Sequence, residues 1–340
     1  MTNDVLPAVS RQVRLVAHPD GDVTPDIFTV VEVDLAEPGE GEVVVRNDWM
    51  TLGAVARDQM VPGAQLPIPP FRPGEPMWGR SVGTVVRSAD PRLAVGDLVE
   101  HFHGWRDYAS GPAHEFYPRD RALLPGPEYF LAQGPTAWRG MVDMAGVGPD
   151  DVVFVSGATS GVGALAGQIA KRLGAKRVIG STGSRQKITY LVEELGFDAA
   201  FDYHDGPVVD RLRELAPEGI TVFFDNVGGE QFEAAVEVAA PFARFALCGA
   251  LAGQLGDGDG GRPRLDLMAA ITKQLALRPF ATYHTPEQIA GWNQQFGEWL
   301  REDRIVLPRT DVGGGVADLP KTFIGLVERR YTGTVLVKLS

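Results

Sequence analysis

The sequence predicts an α/β chain of two domains, a doubly wound parallel sheet inserted into a β-rich domain, on three observations. The stretch Asp151 to Gly174 runs from an apolar, mostly β-branched strand through a glycine-rich turn into an amphipathic helix. Similar strands follow it, separated by segments of helical periodicity. Ahead of it, roughly the first 130 residues alternate apolar and polar positions between frequent Pro and Gly turns.

From the N-terminus, RQVRLVAHP, IFTVVEVDL, GEVVVRNDW, RSVGTVVRS and GDLVEHFHG read as short antiparallel strands of a compact barrel or sandwich. In the middle of the chain, Val152, Val153, Phe154 and Val155 suit a parallel strand covered on both faces. Gly157, Gly161 and Gly163 let the backbone turn sharply and approach a ligand. Leu165, Ile169 and Leu173 then place one apolar stripe on a helix that Gly174 ends. RVIGST (177 to 182), AAFDY (199 to 203), ITVFFDNVG (220 to 228) and ARFALCGA (243 to 250) continue the parallel sheet. Thr285, Pro286 and Gln288 supply an N-cap, a first-turn proline and a capping-box partner for a late helix. The final strand, YTGTVLVKL, needs a partner, and the β-rich domain offers one. The expected division is therefore 1–130 completed by 295–340, with 131–294 as the parallel-sheet domain.

A glycine turn between strand and helix presents free amides and a positive dipole end, which bind a pyrophosphate, so a dinucleotide is the expected ligand. An Asp or Glu about 20 residues beyond the glycines would hold a free ribose diol. None is present: the chain reads Ser181 to Lys187, STGSRQK, with Glu193 the first later acid. Ser184 caps the next helix, which puts Arg185 and Lys187 in its first turn. There the dipole opposes each cation by roughly 0.3–1 kcal/mol, so a compensating anion is expected, and the 2′-phosphate of NADP(H) fits. The plainer reading is two solvated cations.

The chain has 340 residues, 44% of them hydrophobic, enough for two cores, and a net charge of −12 that disfavours nucleic acid or anionic membranes as partners. No apolar run is long enough to span a bilayer, and MTNDVLPAVSRQVRL lacks the basic start and apolar middle of a signal peptide, so a cytoplasmic location is expected. The one cysteine, Cys248, excludes an internal disulfide and a multi-cysteine zinc site, and reads as a buried small residue. GDGDGGRPR (256 to 264) reads as a surface loop. Other catalytic classes lack their residues. No tyrosine has a Lys four positions later, Ser160 has no glycine two before it, and no GK[ST] occurs.

VSGATSGVGALAGQIAKRLG, GSRQKITYLVEELGFDAAFDY and FDNVGGE, with weaker echoes in EPGEGEVVVRN, FHGWRDYA and PKTFIGL, resemble the medium-chain dehydrogenase/reductase superfamily. Within it they resemble the zinc-independent prostaglandin reductase and curcumin reductase type of enoyl reductase. The resemblance implies a GroES-like β-barrel plus a Rossmann domain, with NADPH in a cleft between them, and commonly a homodimer. It implies pyrophosphate contacts from Thr159, Ser160, Gly161 and Val162, and contacts of Lys187 and Tyr203 with the 2′-phosphate and adenosine ribose. Asn226, Cys248, Gly249 and Ala250 would line the cofactor, with Phe280, Ala281 and Thr282 near the nicotinamide. Trp49 and Arg57 would lie near the substrate mouth. Departures cluster at the substrate end. The DPYMRG segment reads Gly53 to Asp58 without its tyrosine, Lys273 stands for an aromatic, Gln254 for a tyrosine, and Tyr331 for a late Asn at the cofactor.

The family's zinc ligands are also missing: that region reads Trp78, Gly79, Arg80, Ser81. His101 and His103 share a strand face but have no evident third soft ligand, and read as strand or pocket-rim histidines, so no metal is expected. A C=C conjugated to a carbonyl is then the favoured hydride acceptor, because the enolate needs only hydrogen-bond donors. Tyr283 is the candidate donor, with Tyr331 and a cofactor hydroxyl as alternatives. A quinone oxidoreductase, or an NADPH-binding sensor without catalysis, remain the competing expectations.

Overall fold

The computed structural model describes residues 6–63, 68–254 and 262–340. The first five residues of the N-terminal stretch and the whole GDGDGG run lie outside them. The chain divides into two compact units, Met1–Leu131 with Arg309–Tyr331 and Val335–Ser340, and Ala132–Pro308 with Thr332–Thr334.

In chain order the first unit opens with β1 (Val9–Leu15), β2 (Phe28–Asp34), β3 (Glu42–Leu52), α1 (Val55–Gln59), β4 (Ser81–Ser88), β5 (Leu98–His101), β6 (Tyr108–Pro112) and β7 (Tyr117–Pro118). The second carries α2 (Gly134–Trp138), β8 (Val152–Val155), α3 (Gly161–Arg172), β9 (Arg177–Thr182), α4 (Arg185–Thr189), β10 (Ala199–Asp202) and α5 (Val208–Leu215). It continues through β11 (Ile220–Asp225), α6 (Gly229–Val238), β12 (Ala239–Leu247), α7 (Leu251–Gln254), α8 (Leu267–Thr272), β13 (Ala276–Pro279) and α9 (Pro286–Arg301). The chain then returns with β14 (Arg309–Val312), α10 (Leu319–Val327) and β15 (Thr334–Lys338).

In the first unit β1-β2, β15-β3, β3-β4, β3-β6, β4-β5 and β5-β7 all pair antiparallel. β1 pairs with β2, and a second sheet runs β14-β15-β3-β4-β5-β7, with β6 also on β3. Alternation puts Val43 and Val45 of β3, Val85 of β4 and Val99 of β5 into one apolar cluster with Phe116. A second cluster gathers Phe28, Trp105, Phe323 and the β15 residues Val335 and Val337. Trp105 stacks on Phe28 at 6.2 Å and meets Phe323 edge-on at 5.9 Å. The last strand therefore closes this unit, β15 lying antiparallel to β3 with Val335 opposite Leu52 and Lys338 opposite Trp49.

The second unit is a six-stranded sheet in the order β10-β9-β8-β11-β12-β13, every pair parallel. Phe154, Phe223 and Phe245, one from each of three neighbouring strands, line one face: Phe154 stacks on Phe223 at 5.0 Å and Phe223 meets Phe245 edge-on at 5.2 Å. All three are fully buried, each contributing about 2 kcal/mol. The anticipated caps are in place: Ser184 accepts from Lys187 N on α4, and Thr285 and Gln288 form the capping box of α9; Ser160, not read as a cap, also accepts from Gly163 N on α3.

One expectation needs correcting. The return to the first unit comes at Arg309 rather than at residue 295. α9 does not end within the second unit's boundary as read from sequence: it continues to Arg301 and buries Trp292, Phe296 and Trp299, with Trp138 of α2 at 6.3 Å from Trp292 and 5.6 Å from Trp299. Past the helix, Gln168 of α3 ties down Val306 through both its amide and its carbonyl.

Candidate nucleotide site

In parallel sheets of this order ligands bind outside the carboxyl ends of the strands, where the strand order reverses. Here the reversal lies between β8 and β11. Gly157 leaves β8 with φ +56, and Ser160 then caps α3. Gly163 must lack a side chain, because a Cβ would stand 2.5 Å from the Gly157 carbonyl oxygen. The Ser160 hydroxyl satisfies the Gly163 amide at 3.0 Å, while the amides of Gly161 and Val162 have no intrahelical partner. Thr159 is held by its hydroxyl against that of Thr182 at 3.1 Å, and its carbonyl accepts from Gly333 N. This cradle fits a pyrophosphate through backbone donors and the helix dipole.

The cradle is fixed from below by a buried carboxylate. Asp225 Oδ1, at the end of β11, accepts from the Ser156 hydroxyl at 2.8 Å and from the amides of Val227 and Gly228 at 3.0 and 2.9 Å. Ser156 Oγ accepts in turn from Asn226 N at 2.8 Å, and Asn226 Nδ2 donates to the Ser156 carbonyl at 2.7 Å. The Asp225 carbonyl takes the amides of Cys248 and Gly249. Three neighbouring strand ends are thereby tied together. Burial raises the Asp225 carboxyl above its ordinary range, against the pull of its hydrogen-bond donors. Cys248, partly buried beside it, is pushed up to about 12 by burial and by the Asp225 charge.

Toward β9 and β10 lies the half that would take the adenosine. Ser184 and the cations Arg185 and Lys187 stand at the end of β9, and Tyr203 follows β10, its ring 3.3 Å from where a Gly183 Cβ would be. Arg185 is 87% exposed and reaches Asp205 only at 3.8 Å, an ion pair too open to neutralise it. Toward β11, β12 and β13 lies the other half, where Asn226, Cys248 to Ala250 and Phe280 to Thr282 emerge from adjacent strand ends. Phe280 donates its amide to the Leu247 carbonyl and meets Phe224 edge-on at 6.2 Å. Tyr283, three residues on, is half exposed.

The structure thus gathers Gly157 to Gly163, Ser184 to Lys187, Tyr203, Asn226, Cys248 to Ala250 and Phe280 to Tyr283 on one sheet edge. Lys273 does not join them. Its ammonium donates to the carbonyls of Val236 and Glu237, capping the end of α6, so it is no substrate-pocket residue. Gln254 closes α7, its side chain lying outside the described residues. Trp49, Arg57 and Tyr331 belong to the first unit. Trp49 sits on β3 opposite Val82, Arg57 on α1, and Tyr331 packs on the Phe28 and Trp105 cluster against Gly325.

His101 is fully buried and His103 partly so, both against Phe116 at 4.9 and 5.3 Å, with His103 Nε2 2.7 Å from Glu115. Burial holds both imidazoles below their ordinary value. Ser156, Asp225 and Thr182 were not singled out as site residues by sequence. For Ser156 and Asp225 the only signal is a polar residue closing an apolar run, as in VVFVS and VFFD.

A parallel sheet with a phosphate cradle at its switch point, carried in one chain with an antiparallel β unit, defines the two-unit dehydrogenase/reductase class. Residues 11–118 match the N-terminal domain of oxidoreductase, and 161–296 match zinc-binding dehydrogenase. The NADPH-dependent curcumin reductase of Escherichia coli (strain K12) is 30% identical over 97% of each chain. The 2-alkenal reductase (NADP(+)-dependent) of Nicotiana tabacum is 29% identical over 91% of each. The crystal structure of CurA in complex with NADPH from Vibrio vulnificus superposes with a TM-score of 0.87 at 27% identity, covering 97% of this chain and 99% of that one. The chain belongs to the zinc-independent curcumin reductase and prostaglandin reductase branch of the medium-chain dehydrogenase/reductase superfamily. Although one matching description names zinc, no three His, Cys, Asp or Glu side chains are grouped to hold a metal among the described residues.

Asp225→Ala leaves three buried donors without an acceptor and is expected to cost about 3 kcal/mol in urea denaturation. Because the folded carboxyl sits above its ordinary 3.8, its contribution to stability is full below that pH and is lost as pH rises through the folded value. Asp225→Asn removes that pH dependence, and an unchanged pH profile of stability would refute the assignment.

Proposed function

We propose that the chain is an NADPH-dependent reductase that directs hydride to the β-carbon of an α,β-unsaturated carbonyl compound. The observation that carries the cofactor choice is the end of β9, where Ser184, Arg185 and Lys187 stand in place of an acid. The relatives named NADPH-dependent curcumin reductase and 2-alkenal reductase support the substrate class. Bound NADPH supplies the hydride. The chain's part is to hold the pyrophosphate on the amides of Gly161 and Val162, to match the 2′-phosphate with Arg185 and Lys187, and to bring Asn226 and Phe280 to Thr282 beside the nicotinamide half. Charge that develops on the carbonyl oxygen of an enone is met by a hydrogen-bond donor, for which Tyr283 is our candidate. The residue is half exposed at the carboxyl edge of the sheet, a position that suits delivery of a proton.

The substrate is a small molecule, and we place the protein in the cytoplasm, since a chain with a single cysteine suits a reducing compartment. We further propose a homodimer. β13 is an open edge of the parallel sheet, and Leu267, Met268 and Ile271 on α8, leading into it, are 57 to 64% exposed. A second copy along this edge would cover both.

With an enone panel, consumption of NADPH is expected to exceed that of NADH, and Lys187→Ala is expected to raise KM for NADPH about tenfold while leaving NADH nearly unchanged. Equal behaviour of the mutant toward both coenzymes counts against the anion site. Tyr283→Phe is expected to lower kcat about 100-fold; a wild-type kcat removes Tyr283 from the chemistry. Light scattering should give twice the chain mass, reduced to one chain by Ile271→Asp; a monomeric wild type rejects the dimer.

A further inference from the structure

The helix that begins at α2 does not continue as an α-helix. From Arg139 to Met144 it widens into a π-turn, as the chain also does at Tyr190–Glu194, a form frequent at functional sites. The residue at the change is Arg139, and its guanidinium spans to the segment after β13. Nη1 donates to the Ala281 carbonyl at 2.9 Å and to the Tyr283 carbonyl at 2.7 Å. The same guanidinium lies 5.8 Å from the Phe280 ring centroid. One turn earlier, Thr136 Oγ1 meets His284 Nε2 at 3.0 Å. One residue later, Gly140 has no room for a side chain: a Cβ would stand 2.2 Å from Phe224 and 3.0 Å from Phe280.

These contacts converge on residues 280–284, a stretch outside regular secondary structure. It follows directly from the carboxyl end of the edge strand, on the side of the switch point opposite the cations at β9. In a dinucleotide fold that side takes the second mononucleotide, the one that reacts. Two carbonyls facing one planar, permanently charged group cannot slide independently, so the segment is held as a unit.

We propose that Arg139 is a positioning residue for hydride transfer, fixing the 280–283 backbone against which the nicotinamide half of the cofactor rests. The inference builds on the reading of the chain as an NADPH-dependent reductase. Arg139 touches neither cofactor nor substrate in this assignment, and it acts through Ala281 and Tyr283. Its loss therefore leaves the remote anchors intact, the cradle at α3 and the cations at α4, and loosens the reacting end alone.

The test compares wild type, Arg139→Gln and Arg139→Lys. In the protein without nucleotide, hydrogen–deuterium exchange of the 280–285 peptide is expected to accelerate in Arg139→Gln, with the peptides of the cradle unchanged. With NADPH and an enone, kcat is expected to fall about 10- to 100-fold, with KM for NADPH within about threefold of wild type. Arg139→Lys, still able to donate to both carbonyls, is expected to recover most of kcat, which a defect in folding would not allow. Unchanged exchange at 280–285, an unchanged kcat, or a loss confined to KM overturns the proposal while the reductase reading stands. A wild-type protein that never oxidises NADPH with enones overturns that reading, and this inference with it.

Discussion

The second unit depends on a single buried carboxylate. Asp225 costs free energy to desolvate, as its raised proton affinity records, and three directed hydrogen bonds offset that cost. Hydrophobic packing alone would hold β8, β11 and β12 in register, since Phe154, Phe223 and Phe245 stack across them. It would not fix how each strand leaves the sheet. Apolar contacts are non-directional, whereas a carboxylate with three donors has one geometry. The turns carrying Asn226 and Gly249 are consequently tied to the same residue that positions Ser156: Asp225 Oδ1 takes the Ser156 hydroxyl, whose oxygen takes the Asn226 amide, and the Asp225 carbonyl takes the Gly249 amide.

Much of this arrangement was legible in the sequence, for identifiable reasons. The strands of the parallel sheet are short, nearly pure apolar runs, and such runs between helical periods admit few other placements. Ser184 and Thr285 cap helices as read, because a cap is a local event between residues three apart. The division of the chain was less readable. The periodicity of the late helix runs on past Arg301, but nothing local says which unit its second half packs on; that is decided by Trp292 and Trp299 meeting Trp138, more than 150 residues earlier.

The misread residue makes the same point. Lys273 looked like a pocket position by resemblance, but a long flexible cation near a helix end finds carbonyls, and those of α6 are within its reach. Arg139 shows the reverse case. In GPTAWRGM it is one more arginine on a short helix, and only the folded chain brings the carbonyls of Ala281 and Tyr283 to it. Contacts between side chain and distant backbone leave no periodic trace, so these are the residues that sequence reasoning passes over.

Cys248 shares its corner with Asp225, and the neighbouring negative charge adds to desolvation in keeping the thiol protonated. With the thiol pushed up to about 12, the protonated form dominates at neutral pH. Alkenes activated by a carbonyl are Michael acceptors that alkylate thiolates. The chain's one thiol is therefore kept in the form that reacts least with such electrophiles.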